Sequence, residues 1–230
     1  MRKYLLLLVS CLLLSCSPIR KYQNVPEVQA WEPVIQKFEE LDKSEKYPDD
    51  AIIFAGSSSI LLWTNLAQDM APYSVIHRGY GGAKLSDFVV YARRIFDPHP
   101  CQAIVIFIAN DITGGDTDKS PEEVAAMFRS VYRTIRRTHR ETPVFWIAIT
   151  PTVSRWKVWP EVMKGNDLIK NFCEKHEDTY FIKTDYAFLN ESGKPIDELF
   201  RADKLHLSEK GYAVWRELIK KELDKVLEKK

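Results

Sequence analysis

AIVIFIAND, residues 103–111, has apolar side chains at every position from Ala103 to Ala109 before it turns polar at Asn110 and Asp111. A strand that is apolar on both faces needs cover on both faces, which is the condition of a parallel sheet held between two helix layers. Working outward, four more runs of strand length follow the same pattern: Ala51 to Ala55, Val75 to His77, Val144 to Ile149 and Tyr180 to Lys183. Between and around them lie segments with helical periodicity: Glu27 to Lys46, Leu85 to Phe96, Pro121 to Arg140, Val158 to Lys175 and Ser208 to Lys229. The alternation predicts a three-layer α/β/α sandwich with a five-stranded parallel sheet. In such sheets ligands sit beyond the carboxyl ends of the strands, so Asn110, Asp111 and their counterparts after the other strands are where chemistry is expected.

The rest of the composition fits one such domain. The chain has 230 residues, 45% hydrophobic and 28% charged, with 33 Lys and Arg against 32 Asp and Glu. A net charge of +1 gives no electrostatic footprint for a polyanion, so nucleic acid is not expected as a partner. Twelve per cent aromatic residues is too many for a disordered chain. There is no internal repeat and no low-complexity stretch.

Residues 1–16, MRKYLLLLVSCLLLSC, join a basic start at Arg2 and Lys3 to an apolar run too short to span a bilayer, the pattern of a secretion signal. The run Leu13, Leu14, Ser15, Cys16 resembles the lipobox of bacterial lipoproteins, which implies a signal peptide over 1–15, a lipid on Cys16 and a place in the cell envelope, periplasmic or at the outer membrane. Cys11, preceded by Leu8, Val9 and Ser10, is the competing site, and an ordinary signal cleaved without lipidation is the other alternative. Cleavage before Cys16 takes away Arg2 and Lys3, leaving 31 basic and 32 acidic residues and a side-chain charge of −1. Residues 16–26 carry two prolines and no periodicity and read as a tether, with the domain over 27–230. Cys101 and Cys173 sit in an apolar run and a helical segment, so burial as small hydrophobes is favoured over a bridge.

Two segments carry candidate chemistry. The first strand ends in Gly56, Ser57, Ser58, Ser59 and enters a helical turn, where a serine hydroxyl is exposed at the sheet edge beside a helix-start N–H. Helix capping by one of the three serines is the alternative. Near the other end, Asp203 and His206 stand three apart just before a helix that Ser208 can cap, close enough for the carboxylate to orient the imidazole. His77, His99, His139 and His176 lie at scattered spacings and read as structural or solvated. Gly79 to Gly82 lacks the glycine at position 84 that a dinucleotide loop needs, and Gly114–Gly115 lacks the Lys of a phosphate loop.

From Ala51 to Tyr212 the chain resembles the SGNH hydrolases, also called GDSL lipases or acylhydrolases. Four blocks match in order: Gly56-Ser57-Ser58; Arg78-Gly79-Tyr80-Gly81-Gly82; Ile108-Ala109-Asn110-Asp111; and Asp203 to His206. The resemblance implies a flavodoxin-like SGNH fold, Ser58 as nucleophile, His206 as base oriented by Asp203, and an oxyanion hole from the N–H groups of Ser58 and Gly82 and the amide of Asn110. It implies no metal or cofactor. Ser57 stands where the family has Asp, and Ile108 where it has Gly, which restricts the backbone before Asn110.

The loop after the fourth strand, Thr150 to Pro160, holds Arg155, Trp156 and Trp159. An exposed aromatic stacks on sugar rings and Arg holds carboxylates or hydroxyls, so the loop reads as a substrate wall, with packing of one or both Trp beneath it as the alternative. The expected activity is hydrolysis of acetyl esters on carbohydrate, the expected partners being small-molecule or carbohydrate esters and, through the anchor, a membrane. A lysophospholipase or thioesterase, and a non-catalytic carbohydrate-binding lipoprotein, are the competing readings. Arg129, Arg133, Arg136, Arg137 and Arg140 form a basic stripe on one helix, either a solvated face or a contact for lipid head groups.

Overall fold

The computed structural model describes residues 18–228. The proposed signal peptide over 1–15, Cys11 and Cys16 lie outside the described residues. In chain order the elements are α1 (Pro18–Tyr22), α2 (Pro26–Gln29), α3 (Glu32–Ser44), β1 (Ile52–Gly56), α4 (Ser58–Leu61), α5 (Leu66–Asp69), β2 (Val75–Gly79), α6 (Leu85–Phe96), β3 (Ala103–Phe107), α7 (Pro121–Thr138), β4 (Val144–Ile147), α8 (Trp159–Cys173), β5 (Thr179–Ile182) and α9 (Glu209–Leu227). The five strands form one sheet in the order β2-β1-β3-β4-β5, every pair parallel.

Alternation along each strand divides the core in two. Ile53, Ala55, Ile104 and Ile106 join the layer that holds α3, α6, α7 and α8, whereas Ile52, Phe54, Val105 and Phe107 join the layer with α4, α5 and α9. All ten residues of β1 and β3 are buried, which is why both strands read as unbroken apolar runs. The result is the three-layer α/β/α sandwich the alternation predicts.

The strand order places the site. From β1 the chain crosses to β2 on one side and then to β3 on the other, so the loops after β1 and β3 part at a crevice. At the end of β1, Gly56 has φ +152° and a Cβ there would stand 1.9 Å from the Phe107 carbonyl oxygen. That carbonyl accepts from Ser57 N–H at 2.9 Å, so the two loops touch backbone to backbone and only glycine fits.

The amino-terminal boundary needs correction. Residues 18–26 are not a free tether: Tyr22 is buried, Ile19 and Val25 are half-buried against the same core cluster, and α1 packs on α6. With Val28, these four apolar residues recur every three positions, a helical period that Pro18 and Pro26 obscure in the sequence. The predicted helix from Glu27 to Lys46 is two helices, broken at Ala30 and Trp31 ahead of Pro33, which sits in the first turn of α3 where its missing N–H costs nothing. Cys101 and Cys173 are free thiols, each pushed up to about 12 by burial. Arg136 leaves the basic stripe, because its guanidinium donates to the carbonyls of His139, Thr142 and Asp178. No helix among the described residues is long and apolar enough to cross a membrane.

Candidate active site

Ser58 is the first residue of α4, reached through Ser57, which is extended and makes no side-chain capping bond. Ser57, the residue at the cap position, is therefore not spent on capping, and the Ser58 hydroxyl is turned to His206 instead. The N–H groups of Ser58 and Ser59 belong to the unpaired first turn and point where negative charge is favoured. Two bonds fix the turn from outside: Tyr212 Oη on α9 donates to the Ser59 carbonyl at 2.9 Å, and His77 Nε2 donates to the Ile60 carbonyl at 2.7 Å.

His206 Nε2 stands 3.0 Å from Ser58 Oγ, and His206 Nδ1 stands 2.7 Å from Asp203 Oδ2. Asp203 also accepts the N–H groups of Leu205 and His206, both at 2.9 Å. Some loss of hydration opposes its charge although the residue is exposed, but the bonds from the His206 ring and the two amides outweigh that and hold the carboxyl at about 2. Closing four residues this tightly puts Lys204 at φ +59°, a left-handed conformation, and Lys204 is tied on both sides, through its N–H to Arg201 and its carbonyl from Ser154. Ser208 caps α9 by accepting from Gly211 N–H at 3.3 Å, as the sequence predicts.

Asn110 follows β3. One hydrogen of its Nδ2 goes to the Ala83 carbonyl at 3.0 Å, leaving the other for a ligand, and Oδ1 accepts from Arg155 Nη2 at 3.0 Å. Ile108, which replaces the family's glycine, is buried and does not take a positive φ, so the loop turns without it. The next residue, Asp111, accepts the first N–H of α6 at 3.0 Å, and burial pushes its carboxyl up to about 6. Gly82 takes φ +77° in the turn that also carries Ala83, and its N–H makes no hydrogen bond within the described residues.

These residues surround a cavity of about 30 Å3. Ser58, Asn110, Arg155, Trp159 and His206 line it, and Gly82, Asp203 and Trp156 do not. Its apolar wall includes Ile112, Ile149, Trp159 and Val162.

Of the expected substrate wall, Arg155 and Trp159 do line the cavity and Trp156 does not, and the two that line it are also committed to the protein's own packing. Both outer nitrogens of Arg155 are engaged, Nη1 with the Ala109 carbonyl at 2.8 Å and Nη2 with Asn110. Trp159 is 5% exposed and packs into the core, and Trp156 stacks on it with centroids 6.2 Å apart. Sequence reasoning missed Ile112 and Val162 as cavity walls; each is an ordinary apolar residue and carries no signal of its own. Among the described residues no three His, Cys, Asp or Glu side chains come together as a metal site. The other histidines serve the fold: His99 meets Asp42 at 2.9 Å, His139 the Phe96 carbonyl at 2.9 Å and His176 the Phe172 carbonyl at 2.7 Å.

A serine, an imidazole and a carboxylate in line, at the carboxyl edge of a parallel sheet and beside free amide donors, define a hydrolase of the serine type. Residues 49–214 match the GDSL-like lipase/acylhydrolase family, and the chain belongs to it. Solved structures agree in fold. A candidate platelet activating factor of Streptococcus pneumoniae superposes with a TM-score of 0.74 at 16% identity, covering 85% of this chain and 94% of its own. A candidate acylhydrolase of Bacteroides fragilis gives 0.72 at 20% identity, with 84% and 96% covered. A family 3 carbohydrate esterase of Clostridium thermocellum gives 0.58 at 17% identity, with 78% and 97% covered. No curated protein is similar enough in sequence to match.

Proposed function

We propose that this acylhydrolase is a serine esterase that removes short acyl groups, acetyl above all, from carbohydrate esters. The observation that carries the reading is the 3.0 Å contact between Ser58 Oγ and His206 Nε2 at the mouth of a cavity of about 30 Å3. Such a cavity takes a methyl-sized group and has no room for a long chain. Likeness in fold to a carbohydrate esterase supports the sugar side of the reading.

In the proposed mechanism His206 takes the Ser58 proton as Oγ attacks the ester carbonyl. The oxyanion is met by the N–H groups of Ser58 and Gly82 and the free hydrogen of Asn110, each such donor contributing roughly 3–4 kcal/mol to lowering the barrier. Asp203 holds the imidazole tautomer and stabilises the imidazolium. As the C–O bond breaks, His206 returns the proton to the leaving alcohol. Water, deprotonated by His206, then releases the acid and restores Ser58. A lipid on Cys16 would keep this chemistry at a membrane in the cell envelope.

Steady-state hydrolysis of p-nitrophenyl esters from acetate to palmitate tests the reading. Acetate is expected to be best, with Ser58→Ala and His206→Ala each losing at least a thousandfold in kcat. Preference for palmitate would overturn the short-acyl assignment, and a fully active Ser58→Ala would overturn the nucleophile.

A further inference from the structure

Beside the catalytic cleft lies a second and larger hollow that this chemistry does not use. It is a groove of about 600 Å3, within the usual range for ligand sites, between the amino-terminal helices and the turn that carries Gly82. Its aromatic surface comes from Tyr22 and Trp31, and its charged rim from Lys21, Lys84 and Lys119. Trp31 is held rigidly, its ring 5.0 Å from that of Tyr80. A Cβ placed on Gly82 would stand 3.4 Å from the Trp31 ring, so the indole sits directly against the oxyanion turn.

The turn is the partition between cleft and groove. Ala83, between Gly82 and Lys84, bonds through its carbonyl to Asn110 in the cleft, while Gly82 and Lys84 face the groove. The cavity and the groove share no lining residue, and the turn from Gly82 to Lys84, tied to Asn110 through Ala83, is what joins them.

The cationic groups of the groove are three lysines. Lys84 and Lys119 have no ion pair within the described residues, and Lys21 has only a long contact of 3.7 Å to Glu123. Against them stand Glu27 on the lip, Glu123 near Lys21 and Lys119, and two buried carboxyls, Asp87, spent on the Lys84 N–H at 2.8 Å, and Asp111, spent on the Leu85 N–H at 3.0 Å, whose charge is felt by Lys84 and Lys119. An aromatic face beside unpaired ammonium groups suits a ring that carries an anion.

We propose that this groove is the subsite for the alcohol part of the substrate and that it takes an anionic sugar, a pyranose bearing a carboxylate, stacked on Trp31 with its charge at Lys84 and Lys119. The proposal rests on the esterase reading for its role in catalysis, though not for binding itself.

Two measurements test it. Wild type is compared on acetylated methyl glucuronide and acetylated methyl glucoside, with an expected kcat/KM at least tenfold higher for the charged sugar. In the Lys84→Ala/Lys119→Ala variant that preference should disappear through KM, while p-nitrophenyl acetate is turned over within twofold of wild type. Equal, measurable rates on the two sugars, or a preference that survives the double substitution, would overturn the proposal. Calorimetric titration of Ser58→Ala with methyl glucuronide separates this from the esterase reading: binding that falls at least tenfold on adding the two lysine substitutions supports the groove even where wild type hydrolyses neither ester. Binding to phosphatidylglycerol vesicles without binding of the glucuronide would overturn the saccharide in favour of a lipid head group.

Discussion

Arg155 donates to Oδ1 of Asn110 at 3.0 Å, from a guanidinium whose other arm holds the carbonyl of Ala109 at 2.8 Å. The amide proposed as the side-chain donor to an oxyanion is thus clamped through its oxygen, with its nitrogen pinned to Ala83. A donor fixed in advance needs no reorganisation when charge develops, which is the physical origin of its value. Drawing electron density toward Arg155 also sharpens the acidity of the amide hydrogens that remain.

Arg155→Met should lower kcat by roughly 10- to 100-fold with KM little changed, from the loss of charge-assisted bonds of about 1.5–3 kcal/mol. Arg155→Lys should recover part of it. Asn110→Ala should cost about 10²–10³ in kcat, and adding Arg155→Met to it should cost little more, because the two act as one unit. Steady-state kinetics on p-nitrophenyl acetate read all four variants, and fully additive losses would separate the two residues.

In the proposed reading the cavity wall sets the acyl length. Ile112→Ala and Val162→Ala each remove side-chain volume from a space of about 30 Å3. Either should raise the butyrate-to-acetate ratio of kcat/KM by at least tenfold, since one methylene in an apolar pocket is worth about 1–3 kcal/mol of discrimination. A ratio unchanged in both variants would move the acyl site elsewhere.

Gly56→Ala should be among the most damaging single-methyl substitutions in the chain, because its Cβ would fall 1.9 Å from a backbone oxygen in a conformation with φ +152°. We expect a loss above roughly 4 kcal/mol, read as a lowered thermal midpoint or absence of soluble protein. A midpoint within a few degrees of wild type would mean that the β1–β3 loop contact yields easily.

Burial pushes the Asp87 carboxyl from 3.8 up to about 7, against the opposing bond from the Lys84 N–H, and the charge of Asp111 pushes the same way. Between those two values the folded chain holds a proton that the unfolded chain has released, so stability falls as pH rises across that window and levels off above it. Asp87→Asn keeps an acceptor for the Lys84 N–H and loses the titration. Its thermal midpoint should change less between pH 4 and pH 7 than that of wild type and should exceed it at pH 8, by about 2–4 °C for each kcal/mol. Parallel profiles would assign the slope to other groups, Asp111 first.

A chain beginning at Pro26 lacks the buried Tyr22 ring and the half-buried Ile19 and Val25. Its thermal midpoint should fall on the order of 5–10 °C, as for loss of a large buried side chain. A free tether would leave the midpoint where it was.

The sheet and the meeting of Ser58, His206 and Asp203 were legible because each leaves a local trace. Buried parallel strands are apolar without interruption, and Ser58, Asp203 and His206 stand in short blocks with fixed neighbours. Arg155 was legible as a residue near the site but not in its role, because a guanidinium that clamps an amide and one that clamps a substrate look alike until the partner is seen. The amino-terminal helices were hidden by their prolines, which break the run that would have marked Ile19, Tyr22, Val25 and Val28 as one face. Cavity size was not legible at all, since it depends on how Ile112, from the loop after β3, meets Val162, from α8.

Ser58 and His206 touch across a separation of 148 residues, one at the end of the first strand and the other just before the last helix. During synthesis the serine therefore leaves the ribosome long before its imidazole exists, and a chain halted anywhere before His206 carries only an unactivated alcohol. Esterase action would switch on in one step, when α9 docks and Tyr212 reaches the carbonyl of Ser59, so that completion of the fold and onset of chemistry are the same event.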